Sequence, residues 1–277
     1  MKATTTVEQV KHFLAAHGRD IEQAQLAYHF EGAPLDELLR VLETYQNADG
    51  GFAGLEPDIA APESNPFATE LALAICAQAH APQDTPLLQR AVAHLERTQD
   101  EDGGWRFTPA IYEHELAPWF QGWEWPNLNP SCTLSGLLRE LGLGSAALQA
   151  KVEQLFARLA NVKDLLSDEF YAVRPYVYYF LPEWAHPQRD LYLSGVVWWL
   201  IRQQANDSLD GNHFFQYVRS PETQVARMLP AALIEERLDR LAAEQMEDGG
   251  WPSPYADHWR GPITMQNLLF LRAFGRL

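Results

Sequence analysis

Apolar residues recur along the chain at the spacing of amphipathic helices. The spacing i, i+3, i+4, i+7 is met by Leu35, Leu38, Leu39 and Leu42. Near the other end of the chain a similar spacing is followed by Ile234, Leu238 and Leu241. Such spacing places one apolar stripe on each helix, and no segment shows the strict alternation of a half-buried strand. The pattern therefore predicts an all-α protein.

Three of these helical stretches end in one shared motif, Leu-x-x-x-Gln-x-x-Asp-Gly-Gly-aromatic. It occupies residues 42–52, 95–105 and 241–251. Two glycines directly after a helix supply the positive-φ positions that end it, and the preceding Asp can hydrogen-bond to the turn. We expect the aromatic residue to pack back on the helix end. The long interval between the second and third motifs predicts two weaker copies between them.

A second apolar segment follows each turn, so the repeating unit is a helical hairpin. The predicted second helices cover residues 67–79, 132–141, 171–181, 223–229 and 263–274. The weaker copies begin with predicted helices over 147–162 and 190–204, followed by turns at 168–170 and 207–214. An N-terminal pair over 7–16 and 21–30 completes six hairpins. We therefore predict one domain over residues 1–277, an α/α toroid in which one helix layer lines the centre and the other surrounds it.

The Gln-x-x-Asp-Gly-Gly-Trp segments resemble the repeat of the squalene and hopene cyclases and of the protein prenyltransferase β-subunits, a superfamily of α/α toroids. Segments 51–58 and 66–69 are similar to those of a bacterial branch of that superfamily with no known reaction. The resemblance implies the toroid fold over most of the chain. It does not imply one reaction, because the repeat belongs to the scaffold.

The motifs that carry the chemistry of this superfamily are absent or altered. The chain has no Asp-Asp dipeptide, and so neither the Asp-x-Asp-Asp acid of class II terpene cyclases nor the Asp-Asp-x-x-Asp of class I cyclases. Prenyltransferases hold Zn²⁺ with an Asp, a Cys and a His. The resemblance implies Cys132, Asp257 and His258 as the candidate zinc ligands in this chain. The Asp that the family has two residues before the Cys is Pro130 here. We therefore predict no cofactor, with zinc at these three residues as the alternative.

Aromatic residues are concentrated in two short windows. The chain has 13 Phe, 10 Tyr and 9 Trp, and the windows cover residues 105–125 and 170–184. The first window is a long loop between two predicted helices, and such loops are often functional. The rings either fill the mouth of the barrel as a core or line a cavity for a hydrophobic or cyclic ligand. The ligand-binding residues predicted on the second interpretation are Tyr112, His114, Trp119, Trp123, Trp125, Tyr178, His258 and Trp259.

Several acidic residues lie in the loops predicted at the same end of the barrel. Glu56 and Asp58 follow the first repeat turn, and Pro57 between them stiffens that loop. A carboxyl group among indole rings has its pKa raised by desolvation, which suits a general acid. We therefore predict Glu56 and Asp58 as catalytic acids, against the alternative that they only stabilise a turn.

The charge of the chain excludes some partners. Lys and Arg number 21 against 37 Asp and Glu, a formal net charge of −16. Such a chain repels phosphate backbones and anionic lipids, so nucleic acid is not expected as a partner. The apolar runs are too short for a bilayer span of about 20 residues. With two cysteines, Cys76 and Cys132, and no signal-peptide h-region, we expect a cytoplasmic protein; its oligomeric state is not predicted.

Three functions fit these observations. The first is a cyclase- or transferase-like enzyme that acts on a hydrophobic or ring-containing small molecule by acid catalysis in an aromatic central pocket. The second is a non-catalytic module that binds a lipid or a peptide, or an interaction scaffold. The third is a carbohydrate-active α/α barrel with two carboxylates about 5–10 Å apart. The repeat motif favours the terpenoid-type toroid over this third function. Whether the protein is an enzyme stays open at this point.

Overall fold

The computed structural model describes residues 7–181 and 184–277. These residues form α-helices and three short 3₁₀-helices and no strand, which confirms the all-α prediction. The α-helices are α1 Val7–His17, α2 Asp20–Phe30, α3 Leu35–Glu43, α4 Pro66–Gln78, α5 Pro86–Thr98, α6 Pro118–Gln121, α7 Leu128–Glu140, α8 Ala146–Leu159, α9 Phe170–Tyr179, α10 Arg189–Ala205, α11 Gly211–Tyr217, α12 Gln224–Met228, α13 Ala231–Ala243 and α14 Arg260–Ala273. The 3₁₀-helices are Pro109–Glu113, Val162–Leu166 and Asp257–Trp259. Within the described ranges, no helix has the length and apolar character needed to cross a bilayer.

The chain forms two compact units. The first comprises Met1–Leu38 and Gln188–Leu277, and the second comprises Leu39–Pro187. The helices predicted at 7–16, 21–30, 67–79, 132–141, 147–162, 171–181, 190–204 and 263–274 are present, with their ends displaced by a few residues. The toroid and the single domain over 1–277 stay predictions.

The central helix of the second unit is α7, which packs against α4, α8 and α9. Every residue from Leu128 to Leu138 is buried, polar residues included. Gly136 permits a close approach to α9, because a Cβ atom there would collide with the carbonyl oxygen of Tyr178. In the first unit the central helix is α14, which packs against α1, α2, α11 and α13. These two helices hold polar side chains away from solvent.

The three repeat turns share one set of hydrogen bonds. In each, the Gln side chain donates from Nε2 to the carbonyl oxygen of the first glycine, as in Gln46 to Gly50 (2.9 Å), Gln99 to Gly103 (3.1 Å) and Gln245 to Gly249 (2.9 Å). The Asp of the motif accepts from the amide of the second glycine at 3.0–3.1 Å. The first glycine has φ near +90° in all three turns. The predicted role of the Asp is therefore confirmed, and the predicted positive φ is confirmed for the first glycine of each turn but not for the second.

Each turn docks on a further helix through its first glycine. A Cβ atom on that glycine would collide with a backbone carbonyl oxygen, which belongs to Arg90 of α5 for Gly50, to Lys151 of α8 for Gly103 and to Gln9 of α1 for Gly249. The first two turns therefore dock on the helix of the next repeat. The last turn, which has no later repeat helix, docks on α1 within the first unit. Only glycine meets both requirements, positive φ and a bare Cα.

The repeat tryptophans anchor the turns to the helices that precede them. Trp105 donates from Nε1 to the carbonyl oxygen of Leu95 at 2.9 Å, and Trp251 donates to that of Leu241 at 2.7 Å. Phe52 is buried at the equivalent place. The prediction that the repeat aromatic packs on the helix end is confirmed.

Replacing Trp105 with phenylalanine is expected to lower the free energy of unfolding by about 1–3 kcal/mol, because the smaller ring leaves a cavity in the core and the carbonyl of Leu95 keeps only one of its two donors, the amide of Gln99. Chemical denaturation measures the change. Trp119→Phe is the matched control, since Trp119 is exposed and its replacement is expected to change stability by less than about 0.5 kcal/mol. Equal losses in the two variants would contradict an anchoring role for Trp105.

The predicted turn at 207–214 is correct only in its first part, since residues 207–210 connect two helices but the residues from 211 on are helical. Helix α11 begins at Gly211, inside that segment, and α12 follows where the second helix had been predicted. Asp210 accepts from the amide of His213 at 2.8 Å, so it caps a helix rather than closing a turn. Gly211 lacks a side chain for a packing reason, because a Cβ atom there would lie 2.8 Å from Cδ1 of Leu241 in α13.

Candidate functional site

A buried ion pair joins α4 and α9 in the second unit. Arg174 of α9 donates from its guanidinium to Oε1 of Glu70 in α4 at 2.6 Å. Glu70 is only 4% exposed. The second carboxylate oxygen of Glu70 and Nε of Arg174 are both buried and have no hydrogen-bond partner. Buried polar atoms are satisfied in most proteins, so an unpartnered donor and an unpartnered acceptor within one ion pair are unusual.

Burial and charge act in opposite directions on this pair. Burial raises the pKa of the Glu70 carboxyl above its ordinary value, although the Arg174 charge opposes the shift. Burial lowers the pKa of Arg174, but the charge and hydrogen bond of Glu70, with contributions from neighbouring tyrosines, together outweigh it and raise that pKa overall. Arg174 therefore stays charged, and the proton affinity of Glu70 depends on what else enters the site.

Tyr178 completes this group. The guanidinium carbon of Arg174 lies 4.5 Å from the centre of the Tyr178 ring, a cation–π contact. Tyr178 is buried and was predicted to bind ligand, so its place beside the ion pair is consistent with that prediction. We call Glu70, Arg174 and Tyr178 the buried polar site.

The helices α4 and α7 begin with the same short sequence, Asn-Pro-x-x-Thr, at residues 65–69 and 129–133. In α4, Asn65 caps the helix by accepting from the amide of Ala68 at 2.8 Å, and Thr69 donates to the Asn65 carbonyl at 2.9 Å. In α7, Oδ1 of Asn129 and Oγ1 of Thr133 are buried without partners. The second copy of the motif therefore keeps polar atoms available inside the unit.

Aromatic rings pack on one another in the turn that precedes Glu70. The ring of Phe67 lies 4.8–6.3 Å, between centroids, from four others, namely Phe107, Phe120, Trp123 and Trp125. These five rings, which we call the aromatic cluster, pack with the buried side chains of Ile59, Ala61, Ile111 and Leu116. Phe67 is three residues before Glu70, so the cluster and the buried polar site share one face of α4. The interpretation of the first window as core packing is correct for Phe107 and Phe120.

The remaining predicted residues of this window lie nearer the surface. Tyr112 is 45% exposed, and its hydroxyl oxygen accepts from the indole nitrogen of Trp125 at 3.1 Å. Trp119 is exposed. Nε2 of His114 lies 3.5 Å from Oε2 of Glu63, and both side chains are more than one third exposed. The ligand-binding roles of these residues stay predictions.

Of the two predicted catalytic acids, Glu56 stabilises a turn with its side chain. Oε1 of Glu56 accepts from the amide of Asp58 at 3.2 Å. The backbone of this loop pairs with the aromatic window, since the carbonyl of Asp58 accepts from Ala117 at 3.0 Å and Ala60 donates to Glu115 at 3.1 Å. The structure therefore places Glu56 and Asp58 beside the aromatic window, as expected. Their catalytic role stays a prediction, in competition with Glu70.

The three zinc candidates do not form a set of ligands. Cys132 is fully buried in α7, and burial raises the pKa of its thiol, which disfavours the thiolate that binds metal. Asp257 and His258 are exposed in the 3₁₀-helix before α14. Among residues 7–181 and 184–277, no three His, Cys, Asp or Glu side chains are grouped to hold a metal ion. Trp259, predicted to bind ligand, lies with its ring centre 6.1 Å from that of Tyr255.

Glu70 and Arg174 were not predicted, although the sequence contains a signal for them. Each is a charged residue inside an apolar helical segment, at 67–79 and 171–181. A charge in such a segment is rarely buried without a partner. Two such segments with opposite charges could have indicated the pair.

Comparison of the chain with protein-family models, with curated proteins and with solved structures finds no match. The buried side chains described above therefore carry the functional proposal.

Proposed function

We propose that the chain binds a hydrophobic, ring-containing small molecule at the buried polar site and that Glu70 is the acid of that site. The observation that carries the proposal is the Glu70–Arg174 pair, which is buried and leaves one acceptor and one donor without partners. A ligand hydroxyl group can satisfy both atoms, because it can donate to the carboxylate oxygen of Glu70 and accept from Nε of Arg174.

The energetics of buried ion pairs support a functional role. Removing two charges from water costs several kcal/mol per ion, and well-packed apolar residues of similar volume are often equally stable. Stability alone therefore gives no reason for a glutamate and an arginine at this place. Clefts with perturbed carboxyl groups are typical of ligand-binding and catalytic sites.

The surroundings of the pair indicate an apolar ligand. The Tyr178 ring lies against Arg174, and the aromatic cluster begins one helical turn from Glu70. Aromatic rings recognise other rings and apolar chains through their faces and edges. Because burial raises the pKa of Glu70, an apolar ligand that excludes further water would favour its protonated form, which can donate a proton. A protein that only binds such a ligand is the alternative.

The predictions about the fold family, the cellular compartment and nucleic acid are part of this proposal. The shared hydrogen bonds of the three repeat turns support a terpenoid cyclase- or prenyltransferase-like toroid. Two free, buried cysteines fit a reducing compartment such as the cytoplasm. The net charge of −16 argues against nucleic acid as the partner.

Glu70→Gln is expected to weaken ligand binding about tenfold or more, since a hydrogen bond to a charged group contributes about 1.5–3 kcal/mol. Glutamine keeps the side-chain volume and an acceptor for Arg174 but leaves the arginine charge without a counter-ion, so the variant is expected to be less stable, and its unfolding curve shows whether it is folded under the conditions of the titration. Native mass spectrometry of protein from its own host identifies a bound hydrophobic molecule. Tryptophan fluorescence, titrated with that molecule or with an isoprenoid alcohol, gives the affinities.

The matched control is the double variant Glu56→Gln/Asp58→Asn, which is expected to bind as the wild-type protein does. Loss of binding in this control and not in Glu70→Gln would transfer the acid role to Glu56 and Asp58. Binding without any conversion of the ligand would identify a non-catalytic binding module. A wild-type protein that binds none of these molecules would contradict the proposal.

A further inference from the structure

Three polar side chains in the first unit form a continuous hydrogen-bonded chain. Oδ2 of Asp210 lies 2.7 Å from Nδ1 of His213, and Nε2 of His213 lies 2.5 Å from the hydroxyl oxygen of Tyr255. Asp210 and His213 belong to the start of α11, and Tyr255 lies in the loop before α14. The packing of α11 on α14 brings the two segments together.

The proton positions in this chain follow from the chemistry of its members. Burial raises the pKa of Asp210, but the hydrogen bonds and charge of His213 outweigh it and lower that pKa overall, so Asp210 is a carboxylate. A carboxylate only accepts hydrogen bonds, so Nδ1 of His213 carries a proton. When the ring is neutral, its lone pair is therefore on Nε2, which lies 2.5 Å from the Tyr255 hydroxyl and accepts from it. This is the order of groups that activates a hydroxyl nucleophile.

The two ends of this hydrogen-bonded chain of side chains, Asp210 and Tyr255, differ in their surroundings. Asp210 is fixed twice, since its other oxygen accepts from the amide of His213 at 2.8 Å. Tyr255 is 39% exposed, so part of its side chain faces solvent, from which a small molecule can approach it. Arg240 of the neighbouring helix α13 has acidic partners of its own, since it pairs with Glu244, just after that helix, at 3.0 Å and with Asp207, just after α10.

We propose that Tyr255 is a nucleophile toward activated carboxylic esters, with His213 as its general base and Asp210 as the residue that positions His213. Oη of Tyr255 attacks the carbonyl carbon of the ester while its proton moves to Nε2 of His213. The bond to the leaving alcohol breaks, and the alcohol leaves with that proton, which gives an acyl-tyrosine and neutral His213. Water then hydrolyses the acyl-tyrosine with His213 as base. This site does not depend on the buried polar site or on Glu70.

The test uses p-nitrophenyl acetate on the full chain, with peptide mass mapping of acetylated residues. Tyr112 is the internal control, because its exposure of 45% is similar and its hydroxyl accepts from an indole rather than facing a histidine. Positioned general bases accelerate reactions about 10²–10⁴-fold. Tyr255 is therefore expected to be acetylated about 100-fold or more faster than Tyr112, with release of one p-nitrophenolate per chain in a burst. Tyr255→Phe is expected to abolish the burst.

Variants of the other two residues separate chemistry from folding. His213→Gln is expected to reduce acetylation of Tyr255 to the rate of Tyr112, and added imidazole is expected to restore part of it in His213→Ala. Asp210→Asn retains a helix-capping side chain, so the fold is kept, and the rate at Tyr255 is expected to fall at least tenfold. Because Asp210 acts through His213, the double variant Asp210→Asn/His213→Gln is expected to be no slower than His213→Gln alone.

The proposal is overturned if Tyr255 in the wild-type chain is acetylated no faster than Tyr112. It is also overturned if Tyr255 reacts rapidly and keeps its rate in both His213→Gln and Asp210→Asn. Additive losses in the double variant would reject the positioning role of Asp210. Unfolding curves of each variant show which of them keep the native fold, and Asp210→Asn decides the result if His213→Gln does not fold.

Discussion

Arg174→Met is expected to lower the free energy of unfolding by about 3–5 kcal/mol, because it leaves the Glu70 carboxylate buried without its partner. Arg174 donates to Glu70 at 2.6 Å, and Glu70 is almost fully buried. Urea denaturation at pH 7.5 measures the change. The matched control is Glu70→Leu/Arg174→Met, which replaces both charges by apolar side chains and is expected to lie within about 1.5 kcal/mol of the wild-type protein. A control that loses as much stability as the single variant would contradict the explanation by an unpaired charge.

The loss in Arg174→Met is also expected to depend on pH. Burial already raises the pKa of Glu70 in the folded protein, and removal of the opposing Arg174 charge raises it further. A raised folded-state pKa gives stability that is present below the unfolded pKa of about 4.3 and is lost as pH rises through the folded pKa. The difference between the wild-type protein and the variant is therefore expected to be smaller at pH 5 than at pH 7.5. A difference that is the same at both values would assign the loss to packing rather than to charge.

Gly249→Ala is expected to lower the free energy of unfolding by about 2–5 kcal/mol. Part of the loss is the cost of positive φ for a residue with a Cβ atom, about 1–2 kcal/mol. The rest comes from the collision of that Cβ atom with the backbone of Gln9 in α1, and overpacking costs about 1–3 kcal/mol. Thermal and urea unfolding of the full chain measure the change.

Gly275→Ala is the matched control for this prediction. Gly275 also has positive φ, at 66°, but nothing lies within 4 Å of the position of a Cβ atom. Its replacement is expected to cost only the conformational part, about 1–2 kcal/mol. The difference between the two variants measures how strongly the last repeat turn docks on the first helix. Equal losses would show that this docking does not contribute to stability.

The aromatic surplus of the chain illustrates how far sequence reasoning extends. The two windows were recognised, and the packing of Phe107 and Phe120 against Phe67 follows from their apolar character. That Tyr112 and Trp119 are exposed could not be read from composition. Exposure depends on which side of the loop faces the core, and backbone pairing between residues 58–60 and 115–117 sets this.

The second part of the predicted turn at 207–214 was wrong for a related reason. Asp-Gly occurs there as it does in the repeat turns, but Gly211 has ordinary helical backbone and Asp210 caps a helix. The same two residue types serve both structures, and the choice depends on what packs against them. Here the side chain of Leu241 lies where a Cβ atom would stand.

The sequence by itself determined the helical class of this protein, the positions of most helices and the chemistry of the three repeat turns. These features depend on residues within about ten positions of one another, whose spacing and backbone preferences are local. Only the tertiary structure decided that Glu70 meets Arg174, 104 residues away, and that His213 meets Tyr255, 42 residues away. Such pairs form when particular helices pack together, and helical periodicity alone does not state which helices those are.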